Sequence, residues 1–153
     1  MFREVMTTID GVIKPRRTPE PLRLLLESAN SSGELGVVEM QMPPRAGGPP
    51  LHVHPTHGEG FYVLEGQLAF QVGAEVVTAG PGTWLFAPRN VPHTLANPGD
   101  QLGTLLCFFA PGGFERRFAR ALAQQAGGPL SPDLETLSEA ERATKTIGPP
   151  LQF

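Results

Sequence analysis

Four side chains in the middle of the sequence could hold one metal ion. His52 and His54 are separated by one residue, so on a strand both imidazoles point to the same face. Glu59 follows after a short turn that lets the chain swing back, and His93 arrives from a separate segment. Neutral imidazole nitrogens with one carboxylate oxygen suit a divalent first-row transition metal ion and leave room for water. The spacing therefore predicts one metal site with these four ligands.

The sequence around these residues predicts short strands. The sequence has 18 glycines and 17 prolines, which lie mostly between short apolar runs rather than in a repeat. Apolar runs and turn residues alternate about every eight to twelve residues, which is typical of a β-sandwich or a small barrel. The predicted strands cover residues 22–28, 34–42, a hairpin over 60–72 that turns at Glu65-Gly66, 74–80, 83–88, 92–98 and 101–111.

The pattern becomes helical after the last predicted strand. Residues 114–126 carry apolar side chains at helical spacing and end at Gly127-Gly128. Residues 131–145 begin with Ser131 or Asp133 as N-cap and have proline in the first turn. We therefore expect two short helices that pack against the outside of the barrel. With 153 residues the chain is predicted to be one domain, with a core barrel over about 22–111 and a helical segment over about 113–146.

The neighbours of the four predicted ligands indicate an apolar pocket. Period-two alternation from Glu59 carries Phe61 to the inner face, and Phe70, Trp84 and Phe86 are candidates for the lining on the other strands. The fourth histidine, His57, lies in the turn outside the ligand pattern, and we expect it to face solvent or the mouth of the barrel, where it is a candidate substrate contact. The alternative, that the apolar side chains are simply barrel core, stays open. An apolar cup favours a small organic substrate, with aromatic compounds as leading candidates.

Charge and cysteine content exclude several partners. A net charge of −3 and a pI near 5.8 give no electrostatic case for nucleic acid or an anionic membrane. The one basic cluster, Arg116, Arg117 and Arg120, is interpreted as a solvated helix face. The single cysteine, Cys107, excludes an internal disulfide. Because no apolar run is long enough to span a membrane and the first residues do not resemble a signal peptide, we expect a cytoplasmic protein.

The ligand pattern resembles the first motif of the cupin superfamily. In that motif two histidines with one residue between them are followed by a glutamate and then, after six intervening residues, by a glycine. His52, His54, Glu59 and Gly66 stand at these positions. The family's glycine before the first histidine would fall at Ala46, and the next two residues here are glycines. This departure leaves the ligands untouched.

A second motif of the same family matches around the fourth ligand. Gly82, five residues, Pro88, a turn, His93 and Asn97 stand at the family's spacing. Asn90 replaces the glycine that the family usually has in this turn. Asparagine is among the few residues that tolerate a positive φ, so the turn is expected to form.

The resemblance implies an all-β fold, a single-domain jelly-roll barrel, and one divalent transition metal ion (iron, manganese, nickel, cobalt, copper or zinc) per chain. The whole chain looks like the small cupins described as quercetin-dioxygenase-like. The leading prediction is therefore a metal-dependent oxidoreductase of the dioxygenase type, in which Glu59 is ligand, proton acceptor or both. The alternatives are a metal-dependent isomerase or lyase and a non-catalytic binding or sensing protein. Small cupins commonly dimerise, so the resemblance also implies a homodimer.

Overall fold

The computed structural model describes residues 20–153, together with Val12 and Lys14. In this part of the chain the strands are β1 Leu22–Leu26, β2 Gly36–Met42, β3 Pro50–Val53, β4 Gly58–Glu65, β5 Leu68–Val72, β6 Glu75–Ala79, β7 Trp84–Ala87, β8 His93–Ala96, β9 Gly103–Ala110 and β10 Lys145–Pro150. The helices are α1 Arg116–Ala126, α2 Pro132–Glu135 and α3 Glu139–Ala143, and a short 3-10 turn covers Ser28–Asn30. None of the helices within the described residues has the length and apolarity to cross a membrane.

The strands form two antiparallel sheets of five strands with the core between them. The first sheet has the order β1-β2-β9-β4-β7 and the second has the order β10-β3-β8-β5-β6. Phe61 and Phe109 from the first sheet pack in one cluster with Leu68, Phe70 and Leu95 from the second. The predicted all-β jelly-roll architecture is confirmed.

Two of the turns depend on residues that adopt positive φ. Gly66, between β4 and β5, has a φ of 78°, and a Cβ there would lie 2.5 Å from the Leu102 carbonyl oxygen. This turn closes the hairpin predicted over residues 60–72. Asn90, in the turn between β7 and β8, has a φ of 63°, as expected for an asparagine in the position of a glycine.

The C-terminal part differs from its prediction. Helix α1 matches the expected segment, but a continuous helix over 131–145 is wrong, because that region forms α2 and α3 with a break between them. Ser138 starts α3 with a capping box, in which its hydroxyl accepts from the Glu141 N–H and the Glu141 carboxylate accepts from the Ser138 N–H. A new N-cap in the middle of the segment therefore begins a second helix.

Strand β10 was not predicted, and it reaches the predicted ligands. It lies at the edge of the second sheet and pairs with β3, with Thr146 opposite His52. The local sequence does not favour a strand, because it contains Gly148, Pro149 and Pro150. An edge strand tolerates proline, however, because the backbone groups on its outer side form no hydrogen bonds to another strand. The end of the chain is thus built into the wall beside the site.

The prediction that Trp84 and Phe86 line the interior is wrong. Both side chains lie on the outer face of the first sheet, with exposed fractions of 52% and 51%. Their rings cover Gly60 and Gly58 of β4, where a Cβ would lie 2.2 and 2.6 Å from ring atoms. The intervening strand positions point inward instead, so the alternation was assigned one residue out of step.

Candidate metal centre

The four predicted ligands meet at one point between the two sheets. His52 lies near the end of β3, directly opposite His93 at the start of β8, and His54 follows one residue after β3. Glu59 comes from the other sheet, where β4 lies between β7 and β9. One ligand atom from each side chain lies within 4.8 Å of the others. The prediction that these residues converge is confirmed.

Backbone carbonyls fix the orientation of two of the rings. The Nδ1 atom of His52 lies 2.7 Å from the Pro50 carbonyl oxygen, and Nδ1 of His93 lies 2.9 Å from the Val91 carbonyl oxygen. A carbonyl can only accept, so each Nδ1 carries the hydrogen and donates it. Each Nε2 is therefore left with its lone pair for the centre of the cluster.

Thr144 does the same for the third ring. Nδ1 of His54 lies 2.7 Å from the Thr144 hydroxyl, which itself lies 2.8 Å from the Ala140 carbonyl oxygen. The hydroxyl donates to that carbonyl and so accepts from the Nδ1–H of His54. Sequence reasoning missed Thr144 because it lies 90 residues beyond its partner, in a segment expected to pack outside the barrel.

Replacing Thr144 with valine is expected to weaken metal binding without removing a ligand. Valine keeps the shape and loses the acceptor, so His54 is no longer held in the tautomer that frees Nε2. Losing such a partner typically costs a factor of 10–100 in metal affinity. The measurement is a calorimetric titration with Zn²⁺, with Thr144→Ser as the variant that restores affinity. Thr78→Val, the same change on an exposed strand position, is the control; equal affinities in all the proteins would contradict the assignment.

The donor set fits a metal cation. Oε2 of Glu59 lies 2.8 Å from Nε2 of His93 and 3.1 Å from Nε2 of His54. Since Nδ1 carries the hydrogen in both rings, a neutral ring presents a lone pair to the carboxylate oxygen. These lone pairs repel unless a proton or a metal ion lies among them. The arrangement of three Nε2 atoms and one carboxylate matches a site for a divalent transition metal ion.

The charges of the side chains support the same conclusion. Burial opposes ionisation of Glu59, but the close contacts of its carboxylate with the His54 and His93 rings outweigh burial and lower the pKa of the carboxyl to about 2. Burial lowers the pKa of His52 to about 4, so this ring is neutral at neutral pH. Burial also disfavours charge on His93, but its hydrogen bond to Glu59 raises the pKa of the ring. Glu59 therefore supplies the negative charge that a metal cation in the cluster would neutralise.

His57 is buried, so the expectation that it faces solvent or the mouth of the barrel is wrong. It is 1% exposed, its ring stacks on His54 with centroids 4.2 Å apart, and it meets the Phe114 ring at a tilt with centroids 5.4 Å apart. Its Nδ1 lies 2.8 Å from the Thr56 hydroxyl, and its Nε2 has no hydrogen-bond partner within the described residues. Burial lowers the pKa of His57 to about 3. Nothing in the local sequence indicated this, because the covering ring comes from a segment 57 positions further along.

A pocket of about 340 Å³ opens over the ligands. Phe61 and Phe70 lie inside the barrel as predicted, but they are packed against each other in the core rather than lining this pocket. The lining residues are Met40, Pro49, Pro50, His52, Glu59, Leu95, Cys107, Phe114, Arg117, Phe118, Thr144 and Thr146. Sequence reasoning missed the contribution of α1, although the spacing of Phe114 and Phe118 indicated an apolar helix face.

Comparison with known proteins identifies relatives of this fold. Residues 38–109 match the family described as Cupin domain. A protein from Thermus thermophilus has 27% identity and a TM-score of 0.52, covering 63% of this chain and 90% of its own. A cupin protein from Bacteroides fragilis has 19% identity and a TM-score of 0.58, covering 69% and 88%. The polyketide cyclase RemF from Streptomyces resistomycificus has 25% identity and a TM-score of 0.51, covering 58% and 63%. No curated protein matches the sequence.

Proposed function

Because the chain belongs to the cupin superfamily, we propose that it binds one divalent transition metal ion and transforms a small organic molecule at that ion. The observation that carries this proposal is the convergence of three Nε2 atoms, each with its Nδ1 hydrogen bonded elsewhere, on the Glu59 carboxylate. Iron, manganese, nickel, cobalt, copper and zinc all accept such ligands. When bound, the ion would supply a Lewis acid and, for the redox-active metals, electrons.

We further propose a metal-dependent oxidoreductase of the dioxygenase type as the leading function. The pocket over the ligands is mostly apolar, and Phe114 and Phe118 form one of its walls. His52 is the most accessible of the four ligands and lines the pocket. A substrate oxygen would therefore approach the ion from the pocket, on the side of His52. The low pKa of Glu59 makes it a weak base, which supports the role of ligand over that of proton acceptor.

Oxygen consumption tests this function. Protein loaded in turn with iron, manganese, nickel, cobalt and copper is given a panel of flavonols and catechols in an oxygen-electrode cell. Uptake that depends on metal and disappears in His93→Ala is the expected result. Tight binding of the panel with no uptake for any metal would contradict a dioxygenase and favour a binding protein.

The similarity to a polyketide cyclase favours a second candidate, in which the ion polarises a carbonyl and no oxygen is consumed. Cyclisation, isomerisation and elimination all belong to this class, and the same pocket and ligands would serve them. The two functions differ in their need for oxygen. Conversion of a carbonyl substrate at full rate under argon would support the second candidate over the first.

We also propose that the chain forms a homodimer through the exposed aromatic face, which we define as Tyr62, Trp84 and Phe86 on the first sheet. Rings exposed to this extent on neighbouring strands suit burial against a second copy. Light scattering of the wild type is expected to give twice the chain mass, and Trp84→Arg is expected to give the monomer. Val77→Arg, at an exposed position of the other sheet, should remain dimeric; a monomeric wild type would contradict the proposal.

A further inference from the structure

Arg117 differs from the two arginines beside it on α1. Arg116 binds the Asp133 carboxylate and backbone carbonyl, and Arg120 binds the Glu141 carboxylate. These two contacts join α1 to the following short helices, so the interpretation of the cluster as a solvated helix face is wrong for Arg116 and Arg120. Arg117 has no ion pair or side-chain hydrogen bond within residues 20–153. It therefore takes no part in holding the helices together.

The position of Arg117 places it over the candidate metal centre. Phe114, just before α1, and Arg117 and Phe118 in its first turn line the same pocket as His52 and Glu59. Phe114 packs on His54 with ring centroids 4.5 Å apart, so the segment that leads into α1 reaches the ligands themselves. Arg117 is exposed at the rim, whereas Glu59 is buried at the base.

The pocket has its two charges at opposite depths. Among its lining residues in the described part of the chain, Glu59 supplies the one carboxylate and Arg117 the one guanidinium. Between them the lining is mostly apolar, with Leu95, Cys107 and Phe118. A molecule that occupies the pocket therefore meets the metal ligands at the inner end, apolar side chains along its length and a guanidinium at the outer end.

We propose that Arg117 binds the carboxylate of a small organic acid whose other end carries the oxygen that reaches the metal site. The proposal rests on the proposed function and narrows its substrate class from small organic molecules to amphipathic acids. A guanidinium binds a carboxylate with two parallel hydrogen bonds, which fixes orientation as well as charge. Because Arg117 has no internal partner within the described residues, it can make this interaction without breaking another one.

Binding of two matched probes tests the inference. The protein is loaded with Zn²⁺, which has no redox chemistry, and titrated by calorimetry with 3,4-dihydroxybenzoate and with 3,4-dihydroxybenzamide. Both probes offer two metal-binding oxygens, and only the first has a carboxylate at the opposite end. Their hydroxyl groups differ in acidity, so the quantity of interest is how the ratio of the two dissociation constants changes between proteins.

In the wild type the acid is expected to bind more tightly than the amide. Arg117→Gln should reduce that preference by about tenfold, as expected for a charge-assisted pair at a partly exposed site, while amide binding stays unchanged. Arg45→Gln removes an equal charge from an exposed loop, where Arg45 pairs with Asp100, and should keep the wild-type ratio. An equal ratio in wild type and Arg117→Gln, or binding of neither probe, would overturn the inference while leaving metal binding intact. Failure to take up Zn²⁺ would overturn the proposed function and this inference together.

Discussion

Replacing Glu59 with glutamine is expected to lower the affinity for Zn²⁺ by at least about 100-fold, because even the partners of metal ligands typically contribute 10–100-fold. The change removes the one anionic ligand and keeps its size. In the metal-free protein the new amide can donate to Nε2 of His93, 2.8 Å from the present carboxylate oxygen, so the fold should tolerate it. The variant therefore separates loss of the metal from loss of the structure.

Thermal unfolding measures this difference. Zn²⁺ at 100 times its dissociation constant stabilises a folded protein by about 2.7 kcal/mol, and chelation removes that gain. The wild type should show a higher unfolding midpoint with Zn²⁺ than with a chelator. Glu59→Gln should show little difference, because zinc at the same concentration stabilises a protein of 100-fold lower affinity by only about 0.4 kcal/mol. Glu65→Gln, at the exposed end of the same strand, is the control and should behave as the wild type. A zinc-dependent shift of equal size in Glu59→Gln would show that the ion binds elsewhere.

Replacing Glu115 with alanine is expected to destabilise the fold by about 2–6 kcal/mol, because each of two N–H groups that lose their acceptor costs about 1–3 kcal/mol. Glu115 is 0% exposed, and its carboxylate accepts hydrogen bonds from the N–H groups of Ser28 at 2.5 Å and Gly113 at 2.6 Å. Alanine would leave both buried N–H groups without this acceptor and open a cavity. The same side chain joins the β1–β2 connection to the start of α1, next to Phe114 on the wall of the pocket.

Urea unfolding tests the role of Glu115, with Glu34→Ala as the matched control at an exposed position in the same region. The control should change the free energy of unfolding by less than about 0.5 kcal/mol. Gly36→Ala provides an independent variant, because a Cβ there would lie 2.4 Å from the Glu115 carboxylate and push it from its site. Equal stability of Glu115→Ala and Glu34→Ala would show that the buried carboxylate does not anchor the helix.

The ligands could be predicted from sequence because their information is local. The one-residue spacing of His52 and His54 fixes a shared face, and the turn before Glu59 is short enough to bring a carboxylate back to it. The strands and the positive φ at Asn90 could be predicted as well, because they also depend on neighbouring residues. Only His93 comes from a distant segment, and the pairing of β3 with β8 places it opposite His52.

The surroundings of the ligands could not be predicted, because they depend on packing between distant segments. The alternation of a strand shows that every second side chain shares a face, but it does not show which face points inward. The prediction placed Trp84 and Phe86 on the inner face, whereas they lie on the outer one. Thr144 reaches His54 only because β10 forms at a sheet edge despite its prolines. The burial of His57 and the position of Arg117 follow from where α1 packs, which no local pattern specifies.

The metal content of the protein purified without added metal shows whether His52, His54, Glu59 and His93 hold an ion. Elemental analysis of the wild type should give about one divalent transition metal ion per chain, and His93→Ala prepared in parallel should give little or none. The metal found would also select between the oxygen-dependent and oxygen-independent functions proposed for the site. Wild-type protein that contains no metal and takes up none when titrated with Zn²⁺, iron or manganese would show that these four residues do not form a metal site.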